Sequence, residues 1–172
     1  MTLPAVESLI DKLSQALTPY FSSPESQPVI VGIETGGAWI AERLQQRLAP
    51  GAEIGRLNIS FYRDDFTRSG LHPTVKPSSL PTEIDDKTIV LVDDVLHSGR
   101  TVRAAMNELF DYGRPRRILL AILIDRGERE IPIQADVIGA TMELDSDSHI
   151  KLEGPEPLRL VIKTLERRDS HG

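Results

Sequence analysis

The chain contains no cysteine, so it can build neither a disulfide framework nor a thiolate zinc site. No stretch approaches the ~18 consecutive apolar residues of a membrane span. The N-terminus also lacks the basic region and apolar core of a secretory signal, so a cytoplasmic location with no membrane partner is expected. Two phosphate-binding fingerprints are missing as well: the GxxxxGK[ST] spacing of nucleoside triphosphatases and the GxGxxG of dinucleotide sites. Basic residues are outnumbered, 20 against 26 acidic ones, for a formal net charge of −6. Nucleic-acid affinity is built largely from phosphate neutralisation, so this balance weighs against RNA or DNA. Two local basic clusters remain, one at Arg114, Arg116 and Arg117, the other at Arg159, Lys163, Arg167 and Arg168. Their ordinary reading is solvated surface.

What is present suits one soluble domain over residues 1–172, with 40% apolar and 27% charged residues. From Pro4 to Leu17, the residues Val6, Ile10, Leu13 and Leu17 share one helical face, and Pro19 with Ser22-Ser23-Pro24-Glu25-Ser26 ends the helix. Val29 to Ile33 reads as a short strand and Ala38 to Leu48 as a helix stopped by Pro50-Gly51. Leu57, Ile59 and Phe61 alternate as in a half-buried strand. Further strands are expected at 88–92, Ile118 to Ile124, Asp136 to Thr141 and Leu158 to Lys163, with a helix from Thr101. Such alternation predicts an α/β fold around a mainly parallel sheet.

The segment Thr88 to Thr101 carries the chemistry. Five apolar or β-branched residues run into Asp93-Asp94 and then Val95-Leu96-His97-Ser98-Gly99-Arg100. Val102, Ala105, Met106 and Leu109 then recur at helical spacing. Ligands of parallel sheets collect at the carboxyl ends of strands, and a helix N-terminus offers free N–H groups and a positive dipole end to an anion. Gly99 permits close approach, while Ser98 and Thr101 add hydroxyl donors for one phosphate. Carboxylates directly before such a cradle would repel a polyphosphate. A ribose diol with a 5′-phosphate satisfies both halves, its hydroxyls donating to Asp93 and Asp94.

A second strand-to-helix junction, Glu34-Thr35-Gly36-Gly37-Ala38, offers another set of N–H groups. The plainer reading is a helix start with glycines chosen for packing. Residues 64–84 hold Gly70, Pro73, Pro77, Ser78, Ser79 and Pro81 with little apolar periodicity, the pattern of a lid or a disordered insertion.

Val90 to Thr101 resembles the 5-phosphoribosyl-1-diphosphate (PRPP) motif of type I phosphoribosyltransferases. Phe61-Tyr62-Arg63-Asp64-Asp65, the run from Asp93 to Leu109, Tyr112-Gly113-Arg114-Pro115 and Ile124 to Ile133 together resemble the pyrimidine operon regulators of the PyrR family. Some members of that family double as uracil phosphoribosyltransferases. The likeness covers roughly Val29 to Gly139 and rests on several separated motifs. It implies the type I phosphoribosyltransferase fold, with a small hood and a flexible lid loop at about 64–84 that brings Arg63, Arg68 or Lys76 to bound PRPP. It implies diphosphate at Thr35, Gly36 and Gly37, with a non-proline cis peptide in that loop, and phosphate at Ser98, Gly99, Arg100 and Thr101. Relatives commonly carry Lys and Arg where Glu34 and Gly36 stand, a departure that should weaken diphosphate binding and lets Glu34 repel it.

Asp93 and Asp94 are the expected catalytic carboxylates, with His97 as a proton-transfer group or simply a packed rim residue. Val95 and Leu96 would contact a pyrimidine, and the resemblance implies that its oxygens meet backbone N–H groups of the loop Asp125-Arg126-Gly127, with Arg126 nearby; Arg129 and Glu130 read equally well as a surface ion pair. Mg²⁺ is the implied cofactor, held mostly by substrate oxygens and water rather than by protein ligands. Expected partners are PRPP, uracil, UMP or UTP and a second copy of the chain in a homodimer or larger homo-oligomer, with RNA or DNA as a regulatory target. Two other readings stay open: a non-catalytic regulator that senses uridine nucleotides and binds RNA or DNA, and a phosphoribosyltransferase for another base.

Overall fold

The computed structural model describes residues 2–59, 78–80 and 83–165. Arg63, Arg68, Lys76 and most of the expected lid at 64–84 lie outside the described residues. Five strands, β1 (Val29–Ile33), β2 (Gly55–Leu57), β3 (Thr88–Leu96), β4 (Arg117–Asp125) and β5 (Val137–Thr141), form one sheet in the order β2-β1-β3-β4-β5. Every pairing in it is parallel, as the strand and helix alternation predicts.

Helices cover both faces, which is why β3 and β4 are apolar almost continuously rather than alternating. Helix α1 (Val6–Leu17) buries Val6, Leu9, Ile10, Leu13 and Leu17. With α2 (Gly36–Leu48) it covers one face, where Ile40, Ala41 and Leu44 meet Val90, Val92, Leu119 and Leu123. On the other face α3 (Arg100–Tyr112) packs Val102, Ala105 and Leu109 with Ile89, Leu91, Leu120 and Ile122. Among the described residues no helix is long and apolar enough to cross a membrane.

Three elements differ from expectation. β3 continues past residue 92 to Leu96, because Asp93, Val95 and Leu96 keep pairing with Ile122, Ile124 and Asp125 of β4. Both carboxylates therefore belong to the strand rather than to a loop. α2 starts at Gly36, two residues before the expected Ala38. Of the alternating 57–61 segment only Leu57 is in a described ladder; Ile59 is buried outside it and Phe61 lies outside the described residues.

One strand beyond the six expected is present. β6 (Ser148–Glu153) pairs antiparallel with β7 (Arg159–Thr164) in a separate hairpin. Ile150 and Leu152 point inward with Leu158 and Leu160 to join the α1–α2 cluster, which Trp39 also packs against, while His149 and Lys151 stay exposed. The carbonyl of Ser148 accepts a hydrogen bond from Arg126 Nη1 (3.2 Å) just beyond the carboxyl end of β4.

Candidate active site

In the pairing of β1 with β3, Val29 to Ile89 through Gly32 to Val92, β1 ends one residue past the last pair while β3 runs on to Leu96. The start of α2 that follows β1 therefore lies beside Asp93 and Asp94. Asp93 is 5% exposed. Its Oδ1 accepts the Asp94 N–H at 2.9 Å, and Asp94 Oδ1 accepts the Val95 N–H at 2.8 Å. These short-range bonds orient the pair where the strand opens.

Across from them stand the two glycines of the first loop. A β-carbon on Gly36 would lie 2.4 Å from Asp94 Oδ2. One on Gly37 would lie 2.4 Å from the Val92 carbonyl oxygen and 3.2 Å from Asp93 Oδ1. Only glycine allows the α2 N-terminus to approach the acidic pair this closely. The Glu34–Thr35 peptide is cis, as the resemblance implies. Glu34 does not contribute its amide to a cradle, since its N–H donates to the Leu57 carbonyl at 2.9 Å. The amides left by helix geometry are those of the first turn of α2, where an intrahelical acceptor is missing.

Glu34 is not a bare charge beside that turn. Its Oε1 lies 3.6 Å from Arg56 Nη1 on β2, and Arg56 is also hydrogen-bonded to Glu42 of α2. That bond, with the nearby charges of Glu42 and Glu34, raises the Arg56 pKa above its ordinary value against the opposing pull of burial.

The β3–α3 loop is the second cradle. Gly99 sits at φ +92°, and a β-carbon there would also meet Ile131 Cγ1 at 3.0 Å. Ser98 Oγ accepts the Arg100 N–H at 3.2 Å. A cavity of about 50 Å³ is lined by Val95, Leu96, His97, Ser98, Gly99, Thr101 and Val102. The Arg100 guanidinium bonds Glu130 through Nε at 2.5 Å, so its side chain is engaged on the outer side of the loop. Leu96 is 1% exposed within the core, leaving Val95 as the more open apolar side chain.

The segment after β4 braces this cradle. Arg129 donates to Asp125 Oδ2 (2.7 Å), to the His97 carbonyl (3.0 Å) and to the Ile133 carbonyl (2.7 Å). The Glu130 N–H donates to the Ser98 carbonyl at 2.9 Å. Arg129 and Glu130 are therefore not an ion pair with each other; each ties the 125–133 segment to the 97–100 loop. The Arg129 guanidinium and the Gly127 N–H hold the Asp125 carboxyl below its ordinary range, outweighing the opposite effect of burial.

His97 is half exposed, with Nε2 3.1 Å from Glu128 Oε2. Glu128 Oε2 is also 3.9 Å from Arg126 Nη2. The Arg126 side chain is 5% exposed, and its Nε is a buried polar atom that finds no protein partner among the described residues. Sequence reasoning assigned no work to Arg56, Asp125, Arg129 or Glu130. The last three stand in a quoted motif, but nothing in their spacing shows that they reach back to residues 97–100.

Two helix N-termini and an acidic pair at the carboxyl edge of a parallel sheet are the arrangement that the resemblance to phosphoribosyltransferases calls for, and the family comparison assigns the chain to that class. The phosphoribosyl transferase domain family matches residues 2–156. Solved structures share the fold: a hypoxanthine phosphoribosyltransferase from Staphylococcus aureus at 19% identity and TM-score 0.61, covering 86% of this chain and 79% of that one. A purine phosphoribosyltransferase from Pyrococcus horikoshii matches at 24% identity and TM-score 0.60, covering 83% and 86%. Much closer in sequence are proteins named bifunctional protein PyrR. That of Pseudomonas paraeruginosa is 51% identical over 166 residues, 96% of this chain and 98% of the relative. That of Nitrosococcus oceani is 48% identical over 164 residues, 94% and 93%. The chain belongs to the PyrR family of phosphoribosyltransferases.

Proposed function

We propose that the protein is a uracil phosphoribosyltransferase that forms UMP and diphosphate from uracil and PRPP. We further propose that UMP or UTP in the same pocket governs its action as a regulator of pyrimidine biosynthesis genes. The observation that carries the catalytic reading is the contact of Gly36 and Gly37 with Asp94 and Asp93, because it makes one continuous site of two anion cradles and a diol-binding pair. The 5′-phosphate would rest on the first turn of α3 and the Ser98 and Thr101 hydroxyls, the diphosphate on the first turn of α2.

Uracil N1 attacks the anomeric carbon as diphosphate departs, and positive charge develops on the ribose ring. In this reading Asp93 and Asp94 stabilise that charge while accepting hydrogen bonds from the diol. Both supply the oxygen donors that Mg²⁺ prefers. Among the described residues no group of three or more acidic, His or Cys side chains could cage an ion, so Mg²⁺ would take most of its ligands from substrate and water. When bound, it neutralises charge on the leaving diphosphate. Val95 offers apolar contact to the base, and the unpartnered Arg126 Nε offers a donor to a uracil oxygen. His97 stands at the rim, hydrogen-bonded to Glu128.

Regulation through RNA is the family-level expectation, and a homodimer would provide a larger surface than one acidic chain. The deciding experiment is UMP formation from uracil and PRPP with Mg²⁺, comparing the wild type with Asp93→Asn/Asp94→Asn. Turnover lost in the variant supports the transferase. Nucleotide binding without turnover in either protein would replace it with a sensor that keeps the pocket alone.

A further inference from the structure

We infer that Arg56 is a positioning residue for PRPP, which it serves by holding the Glu34 carboxylate in an ion pair at the margin of the diphosphate cradle. The inference deepens the transferase reading and rests on it.

Glu34 is the first residue of the loop that leads into α2, and a carboxylate free to turn toward that helix N-terminus would occupy or repel an anion there. Its position is decided by Arg56. The Arg56 Cα pairs with Gly32 of β1, two residues before Glu34, so the guanidinium reaches Glu34 along the same face of the sheet. The Arg56 backbone is fixed by two hydrogen bonds with Ser79, both 2.8 Å. Its guanidinium is anchored by Glu42 on the outer side of α2. An arginine held from two directions keeps Nη1 3.6 Å from Glu34 Oε1. Glu34 remains only 25% exposed, which limits how far solvent alone would screen it.

An acidic residue in the diphosphate loop is thus tolerated because a neighbouring strand supplies its counter-charge. Arg56 acts through Glu34 rather than on the reacting atoms, and this predicts a specific pattern of rescue. Without Arg56 the site faces the two carboxylates Glu34 and Glu42; without Glu34 as well, only Glu42 is left and the local charge returns to that of the wild type.

The test is calorimetric binding of Mg²⁺-PRPP and steady-state kinetics for the wild type, Arg56→Gln, Glu34→Gln and the double variant. Arg56→Gln is expected to weaken PRPP binding and raise its KM about fivefold at low salt, with kcat and the KM for uracil unchanged. The defect should shrink as salt is raised, which a purely structural lesion would not do. Adding Glu34→Gln is expected to return PRPP binding to within about twofold of the wild type. Arg56→Gln without effect on PRPP, or a double variant no better than Arg56→Gln, would overturn the inference. If Arg56→Gln does not fold, Arg56→Met, which keeps the stem and removes the charge, takes its place: weaker PRPP binding that added Glu34→Gln relieves supports the inference, and unchanged binding overturns it. A wild type that binds PRPP with variants indistinguishable from it refutes this role of Arg56 and leaves the transferase reading intact. A wild type that binds no PRPP removes both.

Discussion

Gly36 faces Asp94 with no room between them for a methyl group, since a β-carbon at 36 would come within 2.4 Å of the carboxylate oxygen and 3.2 Å of Asp94 Cβ. Its neighbour Gly37 faces backbone instead, the Val92 carbonyl oxygen at 2.4 Å. Adjacent glycines should therefore fail differently. Gly36→Ala can be relieved by turning the Asp94 side chain, at the expense of the diol site, so turnover should fall at least about tenfold with little loss of stability. Gly37→Ala has no flexible group to displace and should cost about 2–4 kcal/mol of folding free energy. Urea unfolding and UMP formation on both variants check the contrast. Equal effects on both readouts would contradict it.

Asp125 and Arg129 predict an acid-sensitive step. The carboxyl titrates below its ordinary value of 3.8 because Arg129 donates to it, with the Gly127 amide adding to the effect. A depressed carboxylate stabilises the folded state fully above its unfolded pKa and loses that contribution as pH falls through the folded one. Arg129→Gln should reduce stability by about 1–3 kcal/mol at pH 7. The gap from the wild type should narrow below about pH 4, where the carboxyl protonates in the unfolded chain and in the folded variant while the folded wild type still holds it ionised. Urea titrations at pH 7, 5 and 3.5 measure it, and a gap constant with pH would refute the assignment. Because Arg129 also holds the His97 carbonyl, the variant should bind UMP more weakly.

The base-binding role proposed for Arg126 predicts that base and sugar binding can be separated by mutation. The Arg126 Nη1 is committed to the Ser148 carbonyl, while the buried Nε finds no protein partner among the described residues. Replacing it with Lys keeps the charge but removes the forked donor set. Arg126→Lys should raise the KM for uracil about tenfold and leave the KM for PRPP within about twofold. A change confined to PRPP would place Arg126 elsewhere in the reaction.

The turn after β4 tests backbone conformation without packing. Gly127 (φ +75°) and Glu128 (φ +59°) are both left-handed, and among the described residues no heavy atom beyond its chain neighbours lies within 4 Å of a β-carbon built on Gly127. Gly127→Ala should cost about 1–2 kcal/mol from backbone strain alone. A larger loss in thermal unfolding would mean that the turn also packs against groups outside the described residues.

Much of this protein is set locally. The alternation of apolar strands and amphipathic helices, the absence of cysteine, the acidic pair at the end of an apolar run and the two glycine-containing helix starts are all properties of neighbouring residues, and each survives into the structure. Even the missed strand β6 carries a local signal, Ile150 and Leu152 alternating with His149 and Lys151, though it is short and its partner β7 lies on the far side of a proline-containing turn.

What tertiary structure alone decided is which charges meet. Glu34 reads in sequence as a repulsive residue in a diphosphate loop; the register of β1 against β2 brings Arg56 to it from 22 positions away. Arg129 and Glu130 read as a neighbouring ion pair; the return of the 125–133 segment over the 97–100 loop gives them Asp125 and Arg100 instead. Hydrophobic periodicity is a local code because it follows the repeat of a helix or strand. Electrostatic partnership depends on distance in space, and only the folded sheet sets that distance.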